Sequence, residues 1–543
     1  MAEPTDRMHE IALRRFGWAE LKPGQAEAIE AVADGRDVLV VMPTGYGKSA
    51  VYQIAAHLLD GPTVVVSPLI ALQADQVRHL ERASGEGSAV AVNSAHSDGA
   101  NERSWEAVAS GEAEFVFLAP EQLAKPEVIE ELAGLGVSLF VVDEAHCVSS
   151  WGHDFRPDYL RLGAAIEAVG RPRVVALTAT GSAPVREEII ERLGLRDPRV
   201  LVGGFDRPNI HLAVVRHEDE AAKERAVVET ALAAEKPGLV YVATRKDTER
   251  FAERFGEEGL RAAAYHGGMR ARDRREVHEA FLRDELDAVV ATSAFGMGVD
   301  KPNVRFVVHG DITESLDAYY QEVGRGGRDG QPSSATLHYR TEDLGFRVFF
   351  AAGRPREERV RAVAAALSVT DEPQTGRTLA TELALPARAA TAILNILVEA
   401  EAASAVDDGV VAHGPIDPDT ALALVDEVVD RRKRIDESRL AMIRAYAETT
   451  RCRRASLLEY FGDDLPAPCG NCDTCDSGSA FASDEAAAVG GAYRLDQAVR
   501  HREWGDGRVM SIESDRITVF FDEEGYRVLS LAAVQDNGLL TAT

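Results

Sequence analysis

DVLVVMPTGYGKS, residues 37–49, carries an apolar strand into a turn built on Gly45 and Gly47 and then into a helix. Backbone N–H groups from Gly45 to Ser49, backed by the positive end of that helix, form a cradle for phosphate oxygens. Thr44 leads into the cradle, Lys48 reaches the β- and γ-phosphates of a nucleotide such as ATP, and Ser49 is placed to hold Mg2+. A chance G-K-S on a structural turn is the competing reading, and a second motif weakens it. SLFVVDEAH (138–146) is another apolar strand, and it ends in carboxylates. Asp143 suits the shell of the same magnesium ion, Glu144 suits an attacking water, and His146 is placed to couple the site to a neighbouring lobe. Beside a phosphate loop, this acidic strand end reads as metal-assisted phosphoryl transfer.

Working outward, TVVVSP (63–68), EFVFLAP (114–120) and RVVALTAT (173–180) repeat the pattern of a short apolar strand ending in small or polar residues. That is the signature of a parallel sheet with crossover helices. The pattern breaks near residues 203–209 and restarts with GLVYVAT (238–244), RAAAYHGG (261–268), DAVVATS (287–293) and RFVVHGD (305–311). The predicted fold class is therefore α/β, with lobes at 1–204 and 205–345 and ligands at the carboxyl ends of the strands. In YYQEVGRGGRDG (319–330), Gln321, Arg325 and Arg328 recur at three- and four-residue spacing, which predicts a shared helix face. Arginines donated across a cleft stabilise the spreading charge of a phosphoryl-transfer transition state. A solvated basic helix is the alternative.

Residues 346–418 are Ala-rich and read either as a helical connector or as helix–turn–helix with a β-wing, Pro386 supplying the turn. Residues 419–476 read as two helices leading into a cysteine cluster. The stretch 477–493 is a small-residue and acidic linker. From 494 to 543, short strands separated by turn residues predict a small β-barrel.

A chain of 543 residues is too long for one core, which agrees with several domains. No run approaches the roughly 20 apolar residues of a membrane span, and the N-terminus has no apolar signal core. These features predict a cytoplasmic protein with no membrane partner. The formal charge of -29, from 60 Lys and Arg against 89 Asp and Glu, argues against tight non-specific coating of nucleic acid. An acidic exterior is still compatible with a basic track along one cleft. Cys147 stands alone and reads as a packed thiol, whereas Cys452, Cys469, Cys472 and Cys475 form a tetrad with two overlapping C-x-x-C steps. That spacing suits tetrahedral Zn2+, and four cysteines also admit an iron–sulfur cluster.

Taken together, these motifs resemble the RecQ family of DNA helicases, over about residues 10–340 and 450–476. The resemblance implies two tandem RecA-like lobes, ATP and Mg2+ as cofactors, and zinc rather than iron–sulfur in the tetrad. The short T-G-x-G-K-S loop is the form found in helicase motors. FGWAELKPGQ (16–25) resembles the adenine-reading segment, which implies that Trp18 stacks on the base and Gln25 bonds its edge. Lys22 stands where Arg is usual. SPLIALQADQ (67–76) resembles a strand-tracking motif, ALTAT (176–180) a coupling motif, and HCVSSWGHDFRPDY (146–159) the aromatic-rich loop. The loop implies that Trp151, His153, Phe155 and Arg156, with His146, sense single-stranded DNA; without the resemblance, Trp151 and Phe155 read as core residues. Ser150 departs from the usual Gln. FDRPNI (205–210) and ATSAFGMGVDKPNVRFVVH (291–309) match as well.

The implied activity is ATP-driven 3′ to 5′ translocation with unwinding of single-stranded and forked DNA in repair and recombination, which places the protein at the nucleoid. The runner-up is a translocase that remodels protein–DNA complexes, since no winged helix follows the zinc module. An RNA helicase fits the zinc tetrad and aromatic-rich loop poorly, and a non-catalytic scaffold does not fit intact motor residues. HREWGDGRVMSIESDRITVFFDEEGYRVLSL (501–531) resembles the Tudor-like tail of UvrD-related helicases, implying a protein partner such as RNA polymerase.

Overall fold

The computed structural model describes residues 4–542 apart from 69, 86, 94–95, 150–155, 296–300, 345–353, 407–408, 482–492, 495–496, 514 and 522–523. In the first lobe, β1 (Val38–Val41), β2 (Thr63–Val66), β3 (Ala89–Val92), β4 (Phe115–Leu118), β5 (Leu139–Val142), β6 (Arg173–Thr178) and β7 (Arg199–Val202) form one sheet. Their order is β3-β4-β2-β5-β6-β1-β7, and every pairing is parallel. The central strands β1, β2, β4 and β5 are buried at every position, as a sheet covered on both faces requires. Strand β6 lies between β1 and β5, so the phosphate loop, ALTAT and DEAH emerge side by side at one sheet end.

The second lobe repeats this plan with β8 (Ile210–Arg216), β9 (Gly238–Tyr241), β10 (Ala262–Tyr265), β11 (Ala288–Ala291), β12 (Phe306–His309) and β13 (Ser333–Tyr339). The order is β10-β11-β9-β12-β13-β8, again parallel throughout. Four strands outside the sequence expectation have physical reasons to be hidden. Strands β3, β7 and β8 lie at sheet edges, and β7 buries only one of its residues. Strand β13 is internal but polar, SSATLHY, so it lacks an apolar run.

Residues 357–412 take the winged-helix-like form: helices Glu357–Ser368, Gly376–Glu382 and Ala387–Glu399, then a hairpin of β14 (Ala403–Val406) and β15 (Gly409–Ala412). Gln374 pairs with Val410 and adds a third extended segment. Thr375 caps the second helix reciprocally with Thr378. The 31-residue helix Pro418–Glu448 begins at an Asp417 cap that accepts from Asp419 and Thr420. Its first half buries Ala421, Val425 and Val428 in the winged module, and its second half buries Leu440, Ile443 and Tyr446 in the cluster shared with both lobes.

The tail folds as β16 (Ala498–His501), β17 (Gly505–Ile512), β18 (Arg516–Phe521), β19 (Gly525–Ser530) and β20 (Leu540–Ala542), in the antiparallel order β19-β18-β17-β16-β20. Among the described residues the outer strands β19 and β20 do not pair, so the expected barrel is an open five-stranded sheet. The helix Leu531–Asn537 runs between them and inserts Leu531 and Val534 into the tail core.

Gly238 shows how tightly the second sheet is filled: a Cβ there would lie 2.2 Å from the Phe306 ring. Gly238→Ala is expected to lower unfolding stability by about 1–3 kcal/mol, an overpacking penalty read by denaturant titration.

Candidate nucleotide site and metal centre

The loop after β1 turns through Gly45 (φ +80°) and Gly47 (φ +87°), both in the left-handed region that favours glycine. Its underside is braced by the segment 16–25. Gln25 Nε2 donates to the carbonyls of Gly47 (2.9 Å) and Tyr46 (3.2 Å), while its Oε1 accepts from the Lys22 N–H (2.8 Å). Lys22 Nζ donates to Gly45 O (3.3 Å) and lies 5.1 Å from the Tyr46 ring centre. Gln25 is buried, and its amide holds the loop from beneath. Trp18 stacks on Phe16 with ring centres 4.7 Å apart. Thr44 is partly buried in the loop, and Ser49 starts the helix Ser49–Ala56.

Lys48 Nζ donates to Met42 O (2.9 Å) and Pro43 O (3.4 Å) at the mouth of the cradle. Burial lowers its pKa, the Glu144 and Asp143 carboxylates oppose that, and Arg328 adds to the lowering. Burial pushes the Asp143 carboxyl up to about 6, with Glu144 adding to the rise and Lys48 pulling it back. Asp143 Oδ1 accepts from the Glu144 N–H (3.0 Å) and Oδ2 from Gln76 (3.3 Å). A carboxyl so buried, beside a second one and facing the phosphate loop, suits a divalent cation. Glu144 holds φ +49°, an uncommon backbone state for a residue with a side chain and typical of functional sites. His146 Nδ1 lies 3.0 Å from Thr178 Oγ1 and 3.4 Å from Glu144 Oε2, so it ties DEAH to the end of β6. Cys147 is fully buried in the core.

The second lobe reaches this site. A Cβ on Gly45 would lie 3.5 Å from Arg328 Cδ, which places the Arg328 side chain directly over the phosphate loop. The expected helix face is corrected here: the helix ends at Val323, and Arg325 and Arg328 lie in the turn beyond it. Gly324, Gly326 and Gly327 explain the stop, since glycine disfavours helix and Gly327 takes φ +53°. Only Gln321 remains on the helix. Two residues of the FDRPNI segment hold the turn. Arg207 donates to the carbonyls of Gly324 (3.0 Å), Gly326 (2.7 Å) and Gly327 (3.1 Å), and Asn209 to those of Gly327 and Gln331 (2.8 Å each). Arg325 is 3% exposed and interacts with the Tyr241 hydroxyl, which donates to Phe295 O (2.8 Å). Arg207, Asn209, Gln76 and Tyr241 carry no assigned role in the sequence alone, although Arg207 and Asn209 lie in FDRPNI, Gln76 in SPLIALQADQ and Tyr241 in the strand GLVYVAT.

Of the aromatic-rich loop, Trp151, His153 and Phe155 lie outside the described residues. Arg156 NH1 donates to Pro68 O (2.9 Å), joining that loop to the 67–76 segment. At its other end, Ser149 Oγ donates to Glu188 Oε2 (2.7 Å).

The ligand atoms of Cys452, Cys469, Cys472 and Cys475 all lie within 4.8 Å of one another, and Cys469 and Cys475 are 3.9 Å apart. A tetrahedral Zn2+ with Zn–S bonds of about 2.3 Å needs sulfurs roughly 3.8 Å apart, so the donor set fits zinc. The cluster is fastened to β8: Leu212 pairs with Cys472, Val214 N–H donates to Asp473 (2.9 Å), and Arg454 donates to Ile210 O (2.8 Å).

Four sequence families match in order along the chain: DEAD/DEAH box helicase over 22–189, helicase conserved C-terminal domain over 222–330, RecQ zinc-binding over 417–476, and a protein of unknown function (DUF3553) over 497–536. The chain belongs to the RecQ family of helicases. It is 34% identical to the ATP-dependent DNA helicase RecQ of Pasteurella multocida (strain Pm70) over 476 residues, 86% of this chain and 63% of that protein. A probable ATP-dependent DNA helicase RecS of Bacillus subtilis (strain 168) is 40% identical over 332 residues, 61% of this chain and 66% of that one. A RecQ of Bacillus subtilis (strain 168) is 39% identical over 356 residues, 65% and 59% of the two chains. The RecQ-type match thus spans less than two thirds of these relatives' own length. The fold is shared with the DUF1998 helicase MrfA bound to DNA, at TM-score 0.53 and 18% identity over 77% of this chain and 64% of that one. It is shared also with Mss116p bound to ssRNA and AMP-PNP, at TM-score 0.51 and 18% identity over 70% and 85%. No helix among the described residues is long and apolar enough to cross a membrane.

The RecQ zinc-binding segment is expected to carry about one zinc per chain by metal analysis. Cys472→Ser is expected to lose that zinc and to release the 452–476 segment from β8, read as faster hydrogen exchange at 210–216.

Proposed function

We propose that this protein is a DNA-dependent ATPase that moves 3′ to 5′ along single-stranded DNA and unwinds forked duplex. The observation that carries this reading is the placement of Arg328, from the second lobe, over Gly45 of the first. A site completed from two lobes hydrolyses only when the cleft is closed, and that dependence converts a chemical step into relative movement. RecQ relatives named as DNA helicases favour unwinding over the remodelling of protein–DNA complexes.

In this reading the backbone from Gly45 to Ser49 holds the triphosphate and Lys48 neutralises its β- and γ-oxygens. Ser49 and Asp143 would hold Mg2+, which supplies further charge neutralisation when bound. Glu144 orients the attacking water and accepts its proton. Arg325 and Arg328, with Gln321 beside them, stabilise the charge that spreads as the bond to the terminal phosphate breaks. An arginine supplied from a neighbouring domain contributes about 10³–10⁵ in rate in comparable phosphoryl-transfer sites. His146 passes the state of DEAH to Thr178 and so to the coupling segment. Trp151, His153, Phe155 and Arg156 stack on and steer the strand, a sequence-blind mode suited to a motor. Trp18, Lys22 and Gln25 form the adenine side of the pocket, Gln25 by setting the loop from beneath.

The domain division that goes with this reading is lobes at 1–204 and 205–345, a winged module at 346–418, a zinc module at 419–476, a linker at 477–493 and the tail sheet at 494–543. Action on chromosomal DNA would place the protein at the nucleoid. The Tudor-like pattern of the tail supports a protein partner such as RNA polymerase on its outer face.

Lys48→Ala is expected to abolish ATP hydrolysis while leaving single-stranded DNA binding within about twofold, because the loss is confined to the phosphate cradle. The unaltered chain is expected to hydrolyse ATP faster with added single-stranded DNA and to release strands from forks. Full hydrolysis by the variant, or turnover indifferent to polynucleotide, contradicts the proposal.

A further inference from the structure

The tail sheet has its own core, built on Val499, Val509, Ile517, Val519, Phe521 and Leu540. Tyr526 of β19 is not part of it. That side chain is 3% exposed and belongs to the buried cluster shared by both lobes and the zinc module. Its backbone N–H donates to Ser438 Oγ (2.5 Å) on the long helix, and its ring lies 5.7 Å from that of Tyr460. Its hydroxyl is buried near Ser182 of the first lobe with no hydrogen-bond partner among the described residues, and Tyr460 beside it is what contacts Asp317 of the second.

Both neighbours occupy telling positions. Ser182 precedes the helix Ala183–Leu193 and stands two residues after ALTAT (176–180). Asp317 lies in the first turn of the helix Leu316–Val323, which leads into the Arg325–Arg328 turn, and it accepts from Tyr460 OH (2.5 Å). One tail side chain therefore packs into the cluster shared by both lobes, beside Ser182 of the first and linked through Tyr460 to Asp317 of the second. Thr449 donates to Glu513 (3.2 Å) and Arg508 faces Glu187 at 4.0 Å, extending the contact on either side. Parting the lobes must either carry the sheet along or strip Tyr526 from its pocket. Uncovering a buried tyrosine carries a free-energy penalty, so the docked tail weights the equilibrium towards the arrangement in which it is docked.

We propose that the C-terminal sheet binds the motor's own pivot through Tyr526, and that this docking favours the closed approach in which Arg328 lies over Gly45. The kinetic part of the inference rests on the ATP-hydrolysing reading; the docking part does not. With the tail released, a smaller fraction of the free protein is closed, and apparent nucleotide affinity falls by that fraction.

The test uses the full chain, Tyr526→Ala, and Ser438→Ala. The second variant removes the acceptor on the motor side and leaves the tail sequence intact. In both variants KM for ATP is expected to rise about fivefold with kcat within about twofold. Hydrogen exchange is expected to increase at 525–530 and also at 45–49 and 324–328, with zinc content unchanged. Increased exchange confined to 525–530, with KM unmoved, overturns the inference. A higher kcat or a lower KM overturns it too, because the tail would then be a brake. Unchanged exchange at 525–530 in both variants removes Tyr526 as the anchor. If the unaltered chain hydrolyses no ATP, the activity reading has failed, and the exchange pattern alone decides the docking.

Discussion

The contact between the Arg328 side chain and the phosphate loop is the constraint on which the rest of the structure depends. It joins two sheets that share no strand pairing among the described residues and that each deliver polar groups from strand ends. Lys48, Asp143 and Glu144 are fixed by the first sheet. Arg325 and Arg328 are fixed by a glycine-rich turn that Arg207 and Asn209 hold through five hydrogen bonds. Burial raises the Asp143 carboxyl and lowers Lys48, so each resists its charged form except where opposite charge lies beside it.

Most of the first lobe was legible because buried parallel strands read as short apolar runs, and because each run of interest ends in a motif whose residue types chemistry restricts. What stayed hidden has physical reasons. Edge strand β7 exposes most of its residues, and β13 is polar although internal. The Gln321–Arg328 spacing pointed to a helix face, but spacing does not register that three glycines end a helix. The hydrogen bonds of the Gln25 amide to Tyr46 and Gly47 were not legible either, because they depend on three-dimensional packing. The five-strand pattern of the tail was visible, while its openness was not, since barrel closure depends on pairing between β19 and β20, far apart in sequence.

The zinc module and the tail make one structural system with the motor. The cysteine cluster is bound along β8, the edge of the second sheet, and covers backbone groups that an edge strand would otherwise expose. From the same module Tyr460 reaches Asp317, and Phe461 stacks on Phe205, at the entrance to the second lobe, with ring centres 4.8 Å apart. Arg186 donates to Phe461 O (3.1 Å) from the first lobe. The cysteine module is thus in direct contact with both lobes. The winged module has its own core, continues into the long helix and lines a cavity together with the first lobe.

The most direct measurement is DNA-stimulated ATP turnover by Arg328→Ala, with nucleotide affinity measured alongside. If the second lobe completes the first lobe's site, kcat falls by about 10³–10⁵ while the nucleotide is still bound. An unchanged kcat, or a loss explained wholly by weaker nucleotide binding, contradicts the two-lobe account.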